Sequence, residues 1–183
     1  MQKGRKVLKI TVSEKNILIT TRTNNYQKAD YEKGFSTALS NVKRNESSPF
    51  TYHKTLNYGD CIMEKRHAKE MGIQEPIFLN TKGEIAEGAT TNVFFYKRQS
   101  DNSASSILRN ASRYHERIPL FYIFNKRTNY PAGRYLESFD EMFLTNSLLG
   151  IMPVAKLGSH IFPSMNTGKK LLQELYNSQC SFC

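Results

Sequence analysis

The chain has 183 residues, 39% of them hydrophobic, which suffices for one domain with a buried core and is too short for two domains of ordinary size. It contains no apolar run of about eighteen residues and no apolar signal region at its start, which predicts a cytoplasmic protein that has no membrane partner. The net charge of +10 would suit a nucleic-acid-binding protein. However, residues 97–136 hold eight basic and two acidic residues, so most of the excess positive charge belongs to one segment. We therefore predict no nucleic-acid partner.

The first part of the chain has the composition of β-strands. Residues 7–12 and 17–21 are rich in β-branched side chains and are separated by a short polar stretch, which is typical of two strands joined by a tight turn. Residues 35–42 form a weaker strand candidate. The chain therefore begins with an antiparallel pair and continues into a further strand.

A helix is predicted over residues 54–71, where the apolar spacing changes to that of a helix. Gly72 follows at the position where glycine commonly ends a helix. Four apolar side chains are expected on one side of this helix, namely Leu56, Ile62, Met63 and Ala68.

The remaining segments repeat a strand, turn, strand pattern. Residues 76–79 and 84–96 predict two strands around a turn, and residues 141–145 and 151–154 predict a second such pair. A closing helix is expected over residues 167–177, with Thr167 as its N-cap. The predicted fold class is therefore α+β.

Lys54 and Glu87 are the residues whose surroundings indicate chemistry. Most lysines are solvated, but Lys54 lies where an extended segment gives way to a helix, a position that can hold an amine at the edge of a cavity. Glu87 lies 33 positions later and is either a carboxylate in a turn at a strand end or the partner of a protonated pyridine nitrogen in a cofactor. Gly88 would permit an unusual backbone angle beside it.

Three blocks of the sequence resemble a known family. HKTLNY, LNTKGEIAEGATTNVFF and DEMFLTNSLLGIMPV are similar, in order and spacing, to blocks of the class IV aminotransferases, which are fold-type IV enzymes dependent on pyridoxal 5'-phosphate (PLP). This family includes branched-chain and D-amino-acid aminotransferases and aminodeoxychorismate lyase. The approach to the lysine, KRNESSPFTYHKTLNY, resembles the lyase subgroup most closely.

The resemblance implies roles for matching positions. Lys54 would be the catalytic Schiff-base lysine, and Glu87 would pair with the protonated ring nitrogen of PLP. Four further positions would bind or support the cofactor. Tyr58 would lie near the phenolic oxygen of the ring, and Asn92 would support the Glu87 loop. Thr145 and Asn146 would lie at the phosphate, where a hydroxyl and backbone N–H groups would bind the anion. No metal site is predicted, because the CxxC formed by Cys180 and Cys183 lacks a second ligand pair.

The function implied by the resemblance is that of a lyase. A 4-amino-4-deoxychorismate lyase releases pyruvate from its small-molecule amino substrate and forms 4-aminobenzoate, a precursor in folate biosynthesis. One alternative is a branched-chain or D-amino-acid aminotransferase of the same family, and another is a non-catalytic fragment or a basic binding module. Members of the family form homodimers.

Two parts of the family pattern are missing from this sequence. The smaller N-terminal domain of these enzymes does not precede the first strand, and the Leu-Pro-Gly block that cradles the phosphate is not found between residues 101 and 137. A set of codons that encodes residues 107–119, moved on by one base, spells SCGMLPGIMREY, which contains that block. We therefore expect one PLP-binding domain over residues 1–183, interrupted by an aberrant, out-of-frame segment at about 101–137, with impaired lyase activity.

Overall fold

The computed structural model describes residues 6–53, 55–98, 106–109, 126–127 and 136–180. These ranges contain a two-stranded sheet, a nine-stranded mixed sheet and three α-helices, which confirms the α+β fold class. In this part of the chain no helix is both long and apolar enough to cross a bilayer.

The first two strands form a hairpin that is separate from the main sheet. Strands β1 (Lys6–Val12) and β2 (Ile17–Thr23) pair antiparallel with Ile10 opposite Ile19, as the sequence predicts. Residues opposite each other in such a pair share a face. One face of the hairpin therefore carries five exposed aliphatic side chains, with Lys6, Thr21 and Thr23 towards its open end: Leu8, Ile10, Val12, Ile17 and Ile19.

The main sheet contains nine strands: β3 (Phe35–Arg44), β4 (Glu75–Asn80), β5 (Ile85–Gly88), β6 (Asn92–Lys97), β7 (Ser106–Arg109), β8 (Lys126–Arg127), β9 (Glu141–Asn146), β10 (Gly150–Leu157) and β11 (His160–Ile161). Their order in the sheet is β5-β4-β3-β10-β9-β6-β7-β8, with β11 paired to β10. Strand β3 runs parallel to both β4 and β10, whereas β4–β5, β6–β9 and β9–β10 are antiparallel pairs.

The two faces of this sheet are buried in different ways. One face holds the large core cluster, in which Ile77, Val93, Phe95, Leu144 and Met152 are fully buried. The opposite face is covered by α2 (Gly59–Glu70) near β3 and β4, and by α3 (Asn166–Cys180) near β9 and β10. A short α1 (Lys28–Lys33) joins β2 to β3, and single 3-10 turns lie at Pro49–Tyr52 and Leu136–Ser138.

The helix predicted to start at Lys54 begins five residues later. Its N-cap is Tyr58, and residues 55–58 are irregular because the sequence Asn57-Tyr58-Gly59 has a low helix propensity. Its buried side chains are Cys61 and Ala68, so the predicted apolar side is wrong for the other three residues. Leu56, Ile62 and Met63 are exposed.

Residues 84–96 form two strands rather than the single strand predicted. The chain turns at residues 89–91, between β5 and β6. This turn places a tight bend immediately after Glu87.

The last helix begins at Asn166, so Thr167 is not its N-cap. The carboxylate of Glu141 takes that role, because it accepts hydrogen bonds from the Thr167 N–H at 2.9 Å and the Gly168 N–H at 3.0 Å. A side chain from a neighbouring strand thus satisfies N–H groups that a helix leaves unpaired at its start.

The segment at about 101–137, predicted to be aberrant, contributes two short strands to the main sheet. Strand β7 pairs with β6 and β8 pairs with β7, so these six residues continue the sheet beyond β6. Residues 101–105, 110–125 and 128–135, and Cys183 of the CxxC sequence, lie outside the described ranges.

Candidate active site

Glu87 reaches the helix-covered face of the sheet because strand β5 is bulged. Leu79 of β4 pairs with Ile85, but the adjacent Phe78 pairs with Glu87, so one residue of β5 is extra. A bulge of this kind re-aims the side chain that follows it. Ile85 therefore packs into the large core cluster, whereas Glu87 lies on the face of Phe78, which packs with Cys61 of α2.

The carboxylate of Glu87 forms an ion pair inside the protein. Its Oε1 lies 2.9 Å from Nε of Arg44, the last residue of β3, and the two side chains are only 12% and 11% exposed. The guanidinium also bonds Asp60 Oδ2 at 2.5 Å and stacks over the ring of Phe78, with 4.5 Å to the ring centroid. Arg44 thus joins Glu87 to Asp60 in the first turn of α2.

Burial and charge act in opposite directions on these groups. Burial disfavours the charged guanidinium of Arg44, but Glu87, Cys61 and Asp60 outweigh it, and the pKa of Arg44 is raised. Burial raises the pKa of the Cys61 thiol, whose sulfur lies 2.5 Å from an Arg44 nitrogen. This Glu87 cluster, formed by Arg44, Asp60, Cys61 and Glu87, therefore contains a permanent cation, two carboxylates and a neutral thiol.

The segment that leads to Lys54 is held by local hydrogen bonds. The carbonyl of Asn45 accepts from the Thr51 hydroxyl at 2.7 Å, and the Asn45 side chain accepts from the Ser47 N–H at 2.9 Å. The ring of His53 contacts the Pro49 carbonyl at 2.7 Å. Lys54 itself lies outside the described residues, so its position relative to Glu87 stays a prediction.

Tyr58 lies at the start of α2, next to the Glu87 cluster. Its half-buried ring packs against the cluster formed by Cys61, Phe78 and Ala89. Its hydroxyl accepts a hydrogen bond from Lys9 Nζ of the hairpin at 3.3 Å. The hairpin thereby extends to the candidate site.

Asn92 and Thr145 are direct neighbours on strands β6 and β9. Side chains alternate between the faces of a strand. Asn92 therefore shares a face with Phe94, and Thr145 shares it with Phe143, on the side covered by α3. Together with Glu87, both residues lie on the face opposite the large core cluster.

Asn146 braces the turn between β9 and β10, and its predicted role at the phosphate stays a prediction. Its Oδ1 accepts the N–H groups of Leu148 and Leu149 at 2.8 and 2.9 Å, so these two donors are already used within the turn. Its Nδ2 donates to the Thr90 carbonyl at 3.1 Å. Asn146 thus ties the β9–β10 turn to the turn after Glu87.

The sequence that contains most of these residues matches the model of a known family. The family model of the class IV amino-transferases matches residues 2–101, which is more than half of the chain. The chain belongs to the class IV amino-transferase family. Members of this family are enzymes that depend on PLP.

Proteins similar to this chain include both aminotransferases and lyases. It is 28% identical over 159 residues to the "Probable branched-chain-amino-acid aminotransferase" of Aquifex aeolicus, covering 80% of this chain and 50% of the relative. The solved 4-amino-4-deoxychorismate lyase of Pseudomonas aeruginosa superposes with a TM-score of 0.72 at 17% identity, covering 88% of this chain and 62% of that one.

A third similar structure is the PLP form of the branched-chain aminotransferase from Thermobaculum terrenum. It has a TM-score of 0.68 and 21% identity, and the match covers 88% of this chain and 56% of that one. The chain spans about half the length of the curated relative from Aquifex aeolicus. The structural likenesses, at these identities, establish the class IV fold.

The sequence did not reveal the pairing of Arg44 with Glu87. No role was predicted for Arg44, and its strand was predicted to stop at residue 42. The signal was its place in KRNESSPFTYHKTLNY, the block that resembles the family. Its partner Glu87 lies 43 positions away, so no local pattern could have shown the ion pair.

Proposed function

We propose that this chain forms the PLP-binding domain of a class IV enzyme, with Lys54 as the Schiff-base lysine and Glu87 as the partner of the ring nitrogen. The observation that carries this proposal is the buried carboxylate of Glu87, which Arg44 Nε contacts at 2.9 Å. A protonated pyridine nitrogen needs an anion beside it, and a carboxylate next to a guanidinium is stabilised as an anion. The pairing of Glu87 with Arg44 therefore fits a carboxylate that binds the protonated ring nitrogen of PLP.

The residues of the chain would divide the chemistry among themselves. PLP, when bound, supplies an electron sink for the bond that breaks next to the substrate nitrogen. Glu87 would keep a proton on the ring nitrogen, and Arg44 would keep Glu87 ionised. The amine of Lys54 would bind the cofactor and move a proton at the substrate carbon.

Three polar residues would orient the cofactor. The Thr145 hydroxyl would donate to the phosphate, and Asn92, its neighbour on β6, would support the same region. Tyr58 would lie near the phenolic oxygen of PLP. Its hydroxyl accepts a hydrogen bond from Lys9 Nζ and could therefore donate its own hydrogen to that oxygen. These roles are supported by the match of the three positions to the family blocks and, for Thr145 and Asn92, by their place on the same face of the sheet as Glu87.

The substrate class that we propose is 4-amino-4-deoxychorismate, with 4-aminobenzoate and pyruvate as products. The support is the block KRNESSPFTYHKTLNY, which resembles the lyase subgroup. It contains Arg44, which pairs with Glu87, and the hydrogen-bonded turn at residues 45–51. A branched-chain aminotransferase is the second candidate, favoured by the identity with the Aquifex aeolicus protein. Both candidates use a primary amine as the substrate group.

Spectroscopy and product analysis test this proposal. Titration of the chain with PLP should produce the visible absorbance of lysine-bound cofactor, and Lys54→Ala should abolish it. Borohydride reduction should attach the cofactor irreversibly to residue 54. Glu87→Gln should shift that absorbance and weaken binding. Glu84→Gln is the matched control, because Glu84 belongs to the same hairpin but bonds Asn80 at its other end.

The products then separate the two candidates. Formation of 4-aminobenzoate from 4-amino-4-deoxychorismate supports the lyase, and formation of a branched 2-oxo acid with consumption of an acceptor oxo acid supports the aminotransferase. If PLP at hundredfold excess is not attached at residue 54, the proposed cofactor site is wrong.

A further inference from the structure

Glu75 is a carboxylate that is completely buried, although it takes no part in the Glu87 cluster. A buried charge is costly unless it is paired and hydrogen-bonded. Glu75 Oε1 accepts the Thr90 N–H at 2.7 Å and the Thr91 hydroxyl at 3.1 Å, and Oε2 forms an ion pair with Lys65 Nζ of α2. All of these partners belong either to α2 or to the turn that follows Glu87.

The turn at residues 88–91 is built around this carboxylate. Gly88 N–H donates to the Thr91 carbonyl at 2.9 Å, which closes the turn. A Cβ on Gly88 would lie 2.8 Å from Glu75 Oε1 and 2.2 Å from the Thr91 hydroxyl. The backbone at Gly88 therefore approaches the carboxylate more closely than any side chain would allow.

The turn is also held from its other side. Asn146 Nδ2 donates to the Thr90 carbonyl at 3.1 Å, while Lys65 Nζ donates to the Thr90 hydroxyl at 3.2 Å. Thr90 thus joins β9 to α2 through its backbone and its side chain. Fully satisfied buried networks of this kind hold the backbone in one arrangement.

Glu75 consequently connects the two elements that carry candidate site residues. Lys65 lies on the helix whose N-cap is Tyr58, and the turn at residues 88–91 separates Glu87 from Asn92. Phe78, three residues after Glu75 on β4, is the strand partner of Glu87. A shift of this turn would move the backbone of Glu87 relative to Arg44.

We infer that Glu75 is a positioning residue, which through Lys65, Thr90 and Thr91 sets the orientation of Glu87 without contacting the cofactor. The part of this inference that concerns the cofactor rests on the proposed function. The part that concerns the turn stands on the contacts of Glu75 alone.

Amide hydrogen exchange in Glu75→Gln tests the role of Glu75 in the turn. The amide of glutamine cannot accept from all the donors around it, so exchange of the Thr90 and Asn92 N–H groups should accelerate at least tenfold more than exchange of the core N–H groups of Phe95 and Leu144. The matched control is Glu141→Gln, which changes another buried carboxylate that accepts two backbone N–H groups, at the start of α3. Equal acceleration of turn and core in both variants would overturn the inference.

Retention of PLP after gel filtration tests the link to Glu87. Wild type and Glu141→Gln should retain PLP equally, Glu75→Gln should retain it at least fivefold less, and Glu75→Asp should recover part of the loss. Should wild type itself fail to bind PLP, the proposed function is wrong, and the exchange experiment still decides the role of Glu75 in the turn. Retention by Glu75→Gln equal to wild type would overturn the link to Glu87.

Discussion

Arg44 Nε lies 2.9 Å from Glu87 Oε1, and this ion pair joins the end of β3 to the bulge of β5. The pair is almost fully removed from water, so its two charges stabilise each other strongly, and neither is tolerated there alone. It also places the Glu87 carboxylate beside Phe78 and the start of α2, where the proposed function requires the ring nitrogen of PLP to bind.

Replacement of Arg44 should destabilise the chain and couple strongly to replacement of Glu87. Arg44→Met leaves the carboxylates of Glu87 and Asp60 without their cation, and loss of one partner of a buried pair costs about 3–5 kcal/mol. Urea unfolding of Arg44→Met, Glu87→Gln and the double variant should give a coupling of about 1–3 kcal/mol. Exposed Arg66→Met, on α2, should change stability by less than about 0.5 kcal/mol. Additive effects would show that the ion pair does not form.

Gly88→Ala should be destabilising because the added methyl has no space. Its Cβ would lie 2.2 Å from the Thr91 hydroxyl, and overpacking at such sites costs about 1–3 kcal/mol. Gly59→Ala is the matched control: a Cβ there meets nothing within 4 Å, and alanine favours the helix by about 0.5–1 kcal/mol. Thermal unfolding should show shifts of opposite sign, and a neutral Gly88→Ala would contradict the packing of the turn.

Glu141→Gln should weaken the start of α3. The carboxylate accepts two backbone N–H groups and the Ser164 hydroxyl, and charge-assisted bonds of this kind contribute about 1.5–3 kcal/mol. Glu174→Gln removes an exposed partner of Lys170 in the same helix, where surface pairs contribute about 0–1 kcal/mol. Chemical unfolding should rank the two losses in that order. Equal losses would mean that Glu141 does not cap the helix.

Cys61 should react slowly and should make stability fall in alkali. Burial raises the pKa of its thiol, so the folded state holds the proton more tightly than the unfolded state, whose thiol has a pKa of about 8.5. The contribution of this group to stability is therefore complete below that pH and is lost as pH rises through the folded pKa. In a Cys180→Ser, Cys183→Ser background, alkylation at pH 8 should be at least about tenfold slower in the folded chain. Cys61→Ser should reduce the alkaline loss, and an unchanged loss would assign it to other groups.

Restoring the phosphate-binding block should strengthen PLP binding. The sequence SCGMLPGIMREY in place of residues 107–118 would supply the helix N-terminus that the family uses for the phosphate, and such an end contributes about 0.3–1 kcal/mol. We therefore expect PLP to bind roughly two- to fivefold more tightly by absorbance titration. A scrambled sequence of the same twelve residues should give no gain. An equal gain from both would reject the out-of-frame interpretation.

Local patterns were sufficient for most strands of this fold. The hairpin formed by β1 and β2 was predicted closely because alternating β-branched residues around a polar turn leave few other structures possible. The helix after Lys54 and the strand after Glu84 were predicted with wrong limits. In the first, an unfavourable Asn-Tyr-Gly sequence delays the helix, and in the second, a turn held by the distant Glu75 interrupts the strand.

The sequence by itself determined the class IV family, the α+β fold class and the candidate residues, because short blocks and their spacing carry that information. Only the tertiary structure decided what those residues contact. Arg44, Glu75 and Glu141 each act on a segment at least 15 positions away, through charges that burial makes strong. Such pairings depend on which strands and helices become neighbours, and this is settled by packing of the whole sheet rather than by any local pattern.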